Sequence, residues 1–240
     1  MDNWKFLFKE EKGAVQGKVW VTNGEFSALF KPDSDRNESR IEYETYQIAK
    51  ALSIPHAKTE VIELFGQKGV LSYDFKYPYD PNLIFVPADG LYIKSDNLTF
   101  KSRDTSNNRL NRISKLSLQR IKETMPQLEK DMVNMLFLDC LISNRDRHGN
   151  NWEIVMNRNA DILALAPLFD HNMAMENSYS DMLDYSMVLY ADGEMELKHF
   201  DMFKRLSKEY PNQIKTLLKK AQKVQLNDFV LERFKKMQEI

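Results

Sequence analysis

The sequence predicts an α+β protein of two lobes, a small β-rich lobe followed by a larger, mainly helical one. Three observations predict it: short strand-like runs separated by glycine turns fill the first part of the chain, one helical pattern interrupts them, and long apolar segments of helical period dominate the rest. Prolines at 78 and 81 favour an extended connector between the lobes. We therefore assign residues 1–78 to the first lobe and residues 79–240 to the second.

The elements of the first lobe are predicted from aromatic and β-branched runs that alternate with turns. A helical pattern covers 40–52, because Ile41, Thr45, Ile48 and Leu52 lie on one stripe. The order of a hairpin, one helix and further strands indicates a largely antiparallel sheet. The five strand-like runs are 4–8, 18–22, 26–31, 58–65 and 69–75.

The second lobe is predicted to form around a buried helix at 128–142, where apolar residues are too dense for a surface helix. The polar segment 94–117 before it is expected to be a solvated loop that leads into a helix near residue 116, or alternatively a basic edge that docks a substrate. Strands are expected at 152–156 and 162–165, and two or three amphipathic helices over 200–209, 213–224 and 227–239.

Composition excludes several classes of function. The 34 Lys and Arg residues balance 35 Asp and Glu, so that no global field would attract nucleic acid or an anionic membrane. The single cysteine, Cys140, excludes an internal disulfide framework and a zinc site made of cysteine alone. No apolar run approaches the roughly 18 residues of a membrane span, and the N-terminus lacks a signal-peptide pattern. We expect a soluble protein of the cytoplasm.

The most informative segment is the polar run 143–152, which directly follows the buried helix and precedes a strand. It contains Asp146 and Asn151 at the spacing Arg-Asp-x-x-x-x-Asn, which is the spacing of the protein-kinase catalytic loop. Such an aspartate accepts the proton of an attacking hydroxyl, and the asparagine presents an oxygen to a divalent metal. Asp170 follows Phe169 at the end of a predicted hairpin, where a second carboxylate could bridge the metal to phosphates.

The first lobe contains candidate residues for binding the phosphates of a nucleotide. Lys31 ends a predicted strand and could reach the α- and β-phosphates, and Glu42 in the next helix could pair with it. Glu44 is an alternative partner, because the sequence alone does not fix which face of the helix turns to the sheet. The loop 13–18 lies between two strands, where backbone N–H groups could cover phosphates, although it matches neither the P-loop nor the kinase Gly-x-Gly-x-x-Gly pattern.

These residues resemble the HipA-like kinase family, bacterial relatives of the protein kinases and phosphoinositide kinases. The pattern Asn-x-Asp-x-His-x-x-Asn, formed by Asn144, Asp146, His148 and Asn151, is highly specific. The resemblance covers the kinase core and rests on five stretches: 13–18, 29–32, 42–57, 137–152 and 165–171.

The resemblance implies a bilobal protein-kinase-like fold and an ATP- and Mg²⁺-dependent phosphorylation of a hydroxyl, in known members a Ser or Thr hydroxyl of a protein. It implies that Asp146 is the catalytic base, that Asn151 and Asp170 bind the metal, and that Lys31 binds phosphate and pairs with Glu42. The further cofactor-binding residues that it implies are Gln16, Gly17 and Lys18 in the phosphate loop, Ser72 and Tyr73 near the adenine hinge, and His148.

The expected partners are ATP and a protein substrate, with a small regulatory or antitoxin protein as a further candidate and no direct contact with nucleic acid or membrane. Other functions stay open on the sequence. A nucleotide-binding pseudokinase could act as a regulatory module, and a kinase of lipids or small molecules would share the catalytic logic. A metallohydrolase is a rival because His148 and His171 flank the metal residues, although no His-x-His or His-Glu-x-x-His spacing supports it.

Overall fold

The structure, a computed structural model, describes residues 4–7, 17–34, 37–94, 97–100, 116–175, 184–192, 194 and 197–240. Gln16 and the start of the predicted phosphate loop lie outside the described residues. The same holds for residues 101–115 of the polar segment.

A five-stranded antiparallel sheet and one helix form the first part of the described chain. Helix α1 (Glu38–Leu52) connects the third strand to the fourth, as the sequence predicts. The predicted strands and helix are confirmed, with small shifts at their ends. The strands are β1 (Lys5–Phe6), β2 (Val19–Thr22), β3 (Ser27–Pro32), β4 (Thr59–Leu64) and β5 (Gln67–Tyr73), in the order β1-β2-β3-β5-β4.

The two faces of this sheet have different neighbours, because successive side chains of a strand point to opposite faces. Ala28 and Phe30 of β3 pack with Trp4, Val21 and Leu71 in a small apolar cluster on one face. Lys31, at an alternate position of β3, faces α1 and the second part of the chain. The sheet thereby separates an apolar face from a face that can carry polar side chains.

The second part of the described chain is mainly helical. Its helices are α2 (Leu118–Thr124), α3 (Pro126–Ile142), α4 (His199–Glu209), α5 (Pro211–Ala221) and α6 (Asp228–Gln238). Its strands are β6 (Leu83–Pro87), β7 (Leu91–Lys94), β8 (Asn97–Phe100), β9 (Glu153–Asn157), β10 (Ile162–Leu165), β11 (Tyr185–Ser186) and β12 (Leu197–Lys198). They form a three-stranded sheet in the order β10-β9-β6 and the two-stranded sheets β7-β8 and β11-β12.

Helix α3 lies at the centre of the main core, and nearly all of its side chains from Leu128 to Ile142 are buried. A helix that is apolar around its whole circumference must be enclosed on all sides, which is the reason for the prediction and for the observed packing. Ile48 and Leu52 of α1 belong to the same core cluster, so α1 packs against the second part of the chain as well as against the sheet.

Five strands of the second part were not predicted: β6, β7, β8, β11 and β12. Strand β6 pairs with β9, a long-range contact that the apolar run 83–86 alone does not reveal. Strand β8 lies within the segment 94–117, so the prediction of a loop is wrong at Asn97–Phe100, where pairing with β7 supplies the backbone hydrogen bonds. Among the described residues, no helix is both long enough and apolar enough to cross a membrane.

Candidate active site

Strand β3 and helix α1 bring Lys31 and Glu42 together. Lys31 Nζ lies 2.5 Å from Glu42 Oε1, and both side chains are buried. Glu44 points elsewhere on the helix, and its Oε1 lies 2.6 Å from Nε of Arg40. The structure therefore places Glu42, and not Glu44, against the strand-end lysine.

Asp170 faces the ammonium groups of Lys31 on β3 and of Lys18, the residue before β2. Lys31 Nζ lies 2.9 Å from Asp170 Oδ1, and Lys18 Nζ lies 3.7 Å from the same oxygen. The backbone of Asp170 has φ 57°, in the left-handed region that is uncommon for residues other than glycine and that aspartate tolerates better than most.

Opposing effects set the ionisation of this cluster. Burial lowers the pKa of Lys31, but Asp170 and Glu42 outweigh burial and hold that pKa above its ordinary value. Burial likewise raises the pKa of Asp170, but Lys31 and Lys18 outweigh it and hold the pKa well below the ordinary value. Burial raises the pKa of Glu42 and the charge of Lys31 opposes that rise. We assign Glu42 as ionised because Lys31 Nζ lies 2.5 Å from its Oε1.

The loop after α3 places Asp146 beside Asn151. The side-chain amide of Asn151 donates to the backbone oxygen of Asp146 at 2.7 Å and to its Oδ2 at 3.3 Å. His148 Nε2 lies 3.7 Å from the same Oδ2, and the backbone oxygen of His148 accepts a hydrogen bond from the N–H of Asn151 at 2.8 Å. The side chain of Asp146 is 28% exposed, so a hydroxyl can reach it from outside.

Arg147 is fully buried and uses all five of its N–H donors. Nε and Nη2 donate to the two carboxylate oxygens of Asp139 on α3, each at 3.0 Å. Nη1 donates to the backbone oxygens of Asn151 at 2.6 Å and Phe169 at 3.3 Å, and Nη2 also donates to Nε2 of His171. This guanidinium therefore ties the loop 143–152 to α3 and to the segment that follows β10.

His171 also contacts His56, which lies between α1 and β4. His171 Nδ1 is 3.1 Å from His56 Nε2, and the two rings are stacked with centroids 4.8 Å apart. Burial lowers the pKa of His56 to about 4, and burial together with the charge of Arg147 lowers the pKa of His171 well below its ordinary value. Both imidazoles are therefore neutral at pH 7.

Comparison with protein-family models matches residues 5–228 to the HipA-like C-terminal domain. The chain belongs to this family. Two solved structures resemble it at low identity, which shows a common fold. Helicobacter pylori proinflammatory kinase CtkA has a TM-score of 0.56 and 14% identity, over 92% of this chain and 88% of CtkA. HipA of Shewanella oneidensis MR-1, from a complex of a toxin–antitoxin system with HipB and operator DNA, has a TM-score of 0.55 and 14% identity, over 93% of this chain and 60% of HipA.

Comparison with curated protein sequences gives no match. The family assignment and the two structures confirm the predicted α+β, kinase-like fold. They also support the coarse functional class, a phosphotransferase.

In this HipA-like chain, Asn151 and Asp170 could together hold a divalent cation. The amide nitrogen of Asn151 is engaged with Asp146, so its amide oxygen is the atom left for a metal. One carboxylate and one amide oxygen suit Mg²⁺, which commonly takes one or two protein ligands and completes its shell with phosphates and water. The described residues contain no group of three or more His, Cys, Asp or Glu side chains that could hold a metal ion.

The two predicted hinge residues point to opposite faces of the first sheet. Ser72 shares the face of Lys31 by its register in β5. The ring of Tyr73 packs on the other face, edge-on to Trp4, and its hydroxyl donates to Glu60 at 2.9 Å. The side chain of Tyr73 therefore points away from the face of Lys31, and the predicted contact of Tyr73 with the cofactor stays a prediction for its backbone.

Two functional candidates were missed at the sequence level, Arg147 and its partner Asp139. Asp139 lies within the segment 128–142 that was expected to be buried, and a charged residue in such a position is almost always paired. That rule could have predicted a buried cationic partner for Asp139.

Proposed function

We propose that this chain transfers the γ-phosphate of ATP to a hydroxyl, with a Ser or Thr hydroxyl of a protein as the acceptor. The observation that carries the proposal is the double contact of Lys31, which joins Glu42 of α1 to Asp170 of the second part of the chain. Protein kinases require a strand-borne lysine paired with a helix glutamate, and a metal-binding aspartate nearby. Lys31 and Glu42 fit the first requirement, and Asp170 lies close enough to Lys31 to fit the second.

Each side chain has a definite task in this proposal. Lys31 binds phosphate oxygens while Glu42 holds its ammonium group in position. Asn151 and Asp170 present oxygens to Mg²⁺, which when bound would neutralise charge on the phosphates. Asp146 accepts the proton of the attacking hydroxyl, and its partial exposure leaves room for that hydroxyl.

The arrangement suits phosphoryl transfer because that reaction needs little covalent help from a protein. Positioning and charge stabilisation supply most of the rate enhancement. Arg147 contributes to positioning, since it joins the backbone of Asn151 to that of Phe169, the residue before Asp170. The base and both metal ligands are thus connected through one buried guanidinium.

The test is incubation of the full chain with γ-labelled ATP and Mg²⁺, offered in parallel to a protein lysate, to phosphoinositide vesicles and to small-molecule alcohols. We expect labelled protein, with the label recovered as phosphoserine or phosphothreonine, and no label when Mg²⁺ is chelated. Label on lipid or small molecules alone would refute the protein acceptor. ATP binding without transfer to any acceptor would refute the enzyme and indicate a pseudokinase.

A further inference from the structure

A chain of hydrogen bonds runs from the catalytic loop to the segment after α1 through two histidines. Arg147 Nη2 contacts His171 Nε2, and His171 Nδ1 lies 3.1 Å from His56 Nε2. His56 Nδ1 in turn lies 2.6 Å from the backbone oxygen of Ala57. His171 is fully buried.

The two ends of this chain fix the direction of every bond in it. A guanidinium can only donate and a carbonyl oxygen can only accept. His171 must therefore accept at Nε2 and donate from Nδ1, and His56 must do the same towards Ala57. Each ring is neutral and carries its proton on Nδ1, because a proton on either Nε2 would bring two donors face to face.

The bonds at Arg147 make this chain relevant to the site. Its other four donors bind Asp139 and the backbone oxygens of Asn151 and Phe169. Because every donor is engaged, the guanidinium cannot rotate without losing one of these contacts. The other four acceptors are oxygen atoms. The bond to His171 differs from them, because it forms only in the tautomer of His171 whose Nε2 carries no proton.

His56 also belongs to a segment that is fixed to the site by its backbone. Ala57 N donates to the backbone oxygen of Leu168 at 2.8 Å, and Leu168 N donates to that of Pro55 at 2.9 Å. Leu168 lies just before Phe169 and Asp170 in the sequence. These two backbone bonds therefore hold His56 beside the segment that contains Asp170 and His171.

We propose that His56 is a positioning residue for the proposed phosphotransfer. By accepting a hydrogen bond from the Nδ1–H of His171, it keeps His171 in the tautomer that accepts from Arg147, and it thereby maintains the spacing of Asn151 and Asp170. The effect on metal–nucleotide binding rests on the proposed function, whereas the tautomers of the two rings are a property of the free protein.

Two variants distinguish the hydrogen bonds of His56 from the packing of its ring. His56→Gln keeps an oxygen that can accept from His171 and an amide N–H that can reach Ala57, whereas His56→Phe keeps the stacked ring and loses both bonds. The readouts are imidazole ¹⁵N NMR of the free protein and calorimetric titration with MgATP.

We expect a protonated Nδ1 on His171 in the wild type and in His56→Gln. In His56→Phe we expect this signature to be lost and the Kd for MgATP to rise about 10–100-fold, as when a residue that orients a ligand is removed.

Three results would overturn the inference: a protonated Nε2 on either ring in the wild type, an unchanged tautomer and MgATP affinity in His56→Phe, or a His56→Gln variant that binds as weakly as His56→Phe. The first needs no variant and stands even if His56→Phe fails to fold. A wild type that binds no MgATP but shows the expected tautomers would overturn the proposed function and the positioning role, while the hydrogen-bond chain itself would stand.

Discussion

The side-chain amide of Asn151 donates to both the backbone oxygen and the carboxylate of Asp146, at 2.7 and 3.3 Å. The proposed base and a proposed metal ligand are therefore parts of one hydrogen-bonded unit. The contact orients the carboxylate of Asp146 and leaves the amide oxygen of Asn151 for a cation. A change at either residue is therefore expected to affect the other.

Asp146→Asn is expected to remove the base and to leave nucleotide binding nearly intact. The new amide keeps an oxygen that Asn151 can donate to, so the loop should hold its shape. Loss of a general base lowers turnover by about 10²–10⁴-fold, and a fall confined to kcat marks a group used only in the transition state. Calorimetry with MgATP and steady-state kinetics measure the two effects.

Asp201→Asn, on the exposed surface of α4, is the control. Loss of MgATP binding in a folded Asp146→Asn protein would show that Asp146 is not the base.

Lys31→Ala is expected to weaken MgATP binding and turnover together, because the ammonium group contacts Asp170 in the ground state. It should also lower the free energy of unfolding, since removal of one partner of a buried ion pair costs about 3–5 kcal/mol. Denaturant unfolding and MgATP titration measure the two effects. Lys50→Ala on the exposed face of α1 is the matched control. A Lys31→Ala protein with unchanged MgATP affinity would contradict the assignment of Lys31 to the phosphates.

Gly149→Ala is expected to displace the catalytic loop. A Cβ at Gly149 would lie 2.6 Å from the backbone nitrogen of Asp89, which donates to the Gly149 oxygen at 2.9 Å. Overpacking of this kind typically lowers the free energy of unfolding by about 1–3 kcal/mol. Turnover should fall as well, because the loop carries Asp146. Gly90→Ala is the control, since a Cβ there meets nothing within 4 Å. Equal denaturation midpoints for the two variants would contradict the prediction.

Acid is expected to destabilise the fold through His56. Its pKa in the folded protein is about 4, below the value of 6.5 expected when the chain is unfolded, so the unfolded state binds more protons between these two values. The free energy of unfolding should therefore fall as the pH drops from 6.5 to 4, by at most about 1.4 kcal/mol per pH unit for this one group. Urea unfolding at several pH values measures the slope. His56→Gln should have a shallower slope, and an identical slope would exclude His56 as its source.

Much of the site could be predicted because its residues follow local rules. The spacing from Asp146 to Asn151 lies within one loop, and the strand that ends at Lys31 is short and regular. Both are visible without knowledge of tertiary contacts. The buried character of α3 was equally predictable from its composition, and it locates the loop because the helix ends where the loop begins.

The remaining features depend on contacts between distant parts of the chain. The choice between Glu42 and Glu44 requires the rotation of α1, and the position of the Tyr73 ring requires the register of β5. The pairing of β6 with β9 and the contacts of Arg147 join segments far apart in the sequence. Such contacts have no local signature, and only the apolar surroundings of Asp139 hinted at one of them.

The orientation of α1 is held from the side opposite the sheet. Asn227 Nδ2 donates to Glu44 Oε2 at 2.5 Å, and Lys220 Nζ donates to the backbone oxygen of Leu52 at 2.9 Å, at the end of the helix. Because Glu42 lies on the same helix, these contacts help to determine where its carboxylate meets Lys31. The two C-terminal helices thereby reach the proposed nucleotide site without touching it.

Asn227→Ser is therefore expected to weaken MgATP binding although the residue lies outside the site. Serine can still cap α6, as Asn227 does through Val230 N at 2.9 Å, but it loses the amide that reaches Glu44. A hydrogen bond to a charged group contributes about 1.5–3 kcal/mol, and we expect part of this, roughly a tenfold rise in Kd, to appear in MgATP titrations. Glu44→Gln keeps an acceptor for Asn227 and should bind like the wild type. If Asn227→Ser also binds like the wild type, the apolar contacts of α1 with the main core are sufficient to position Glu42.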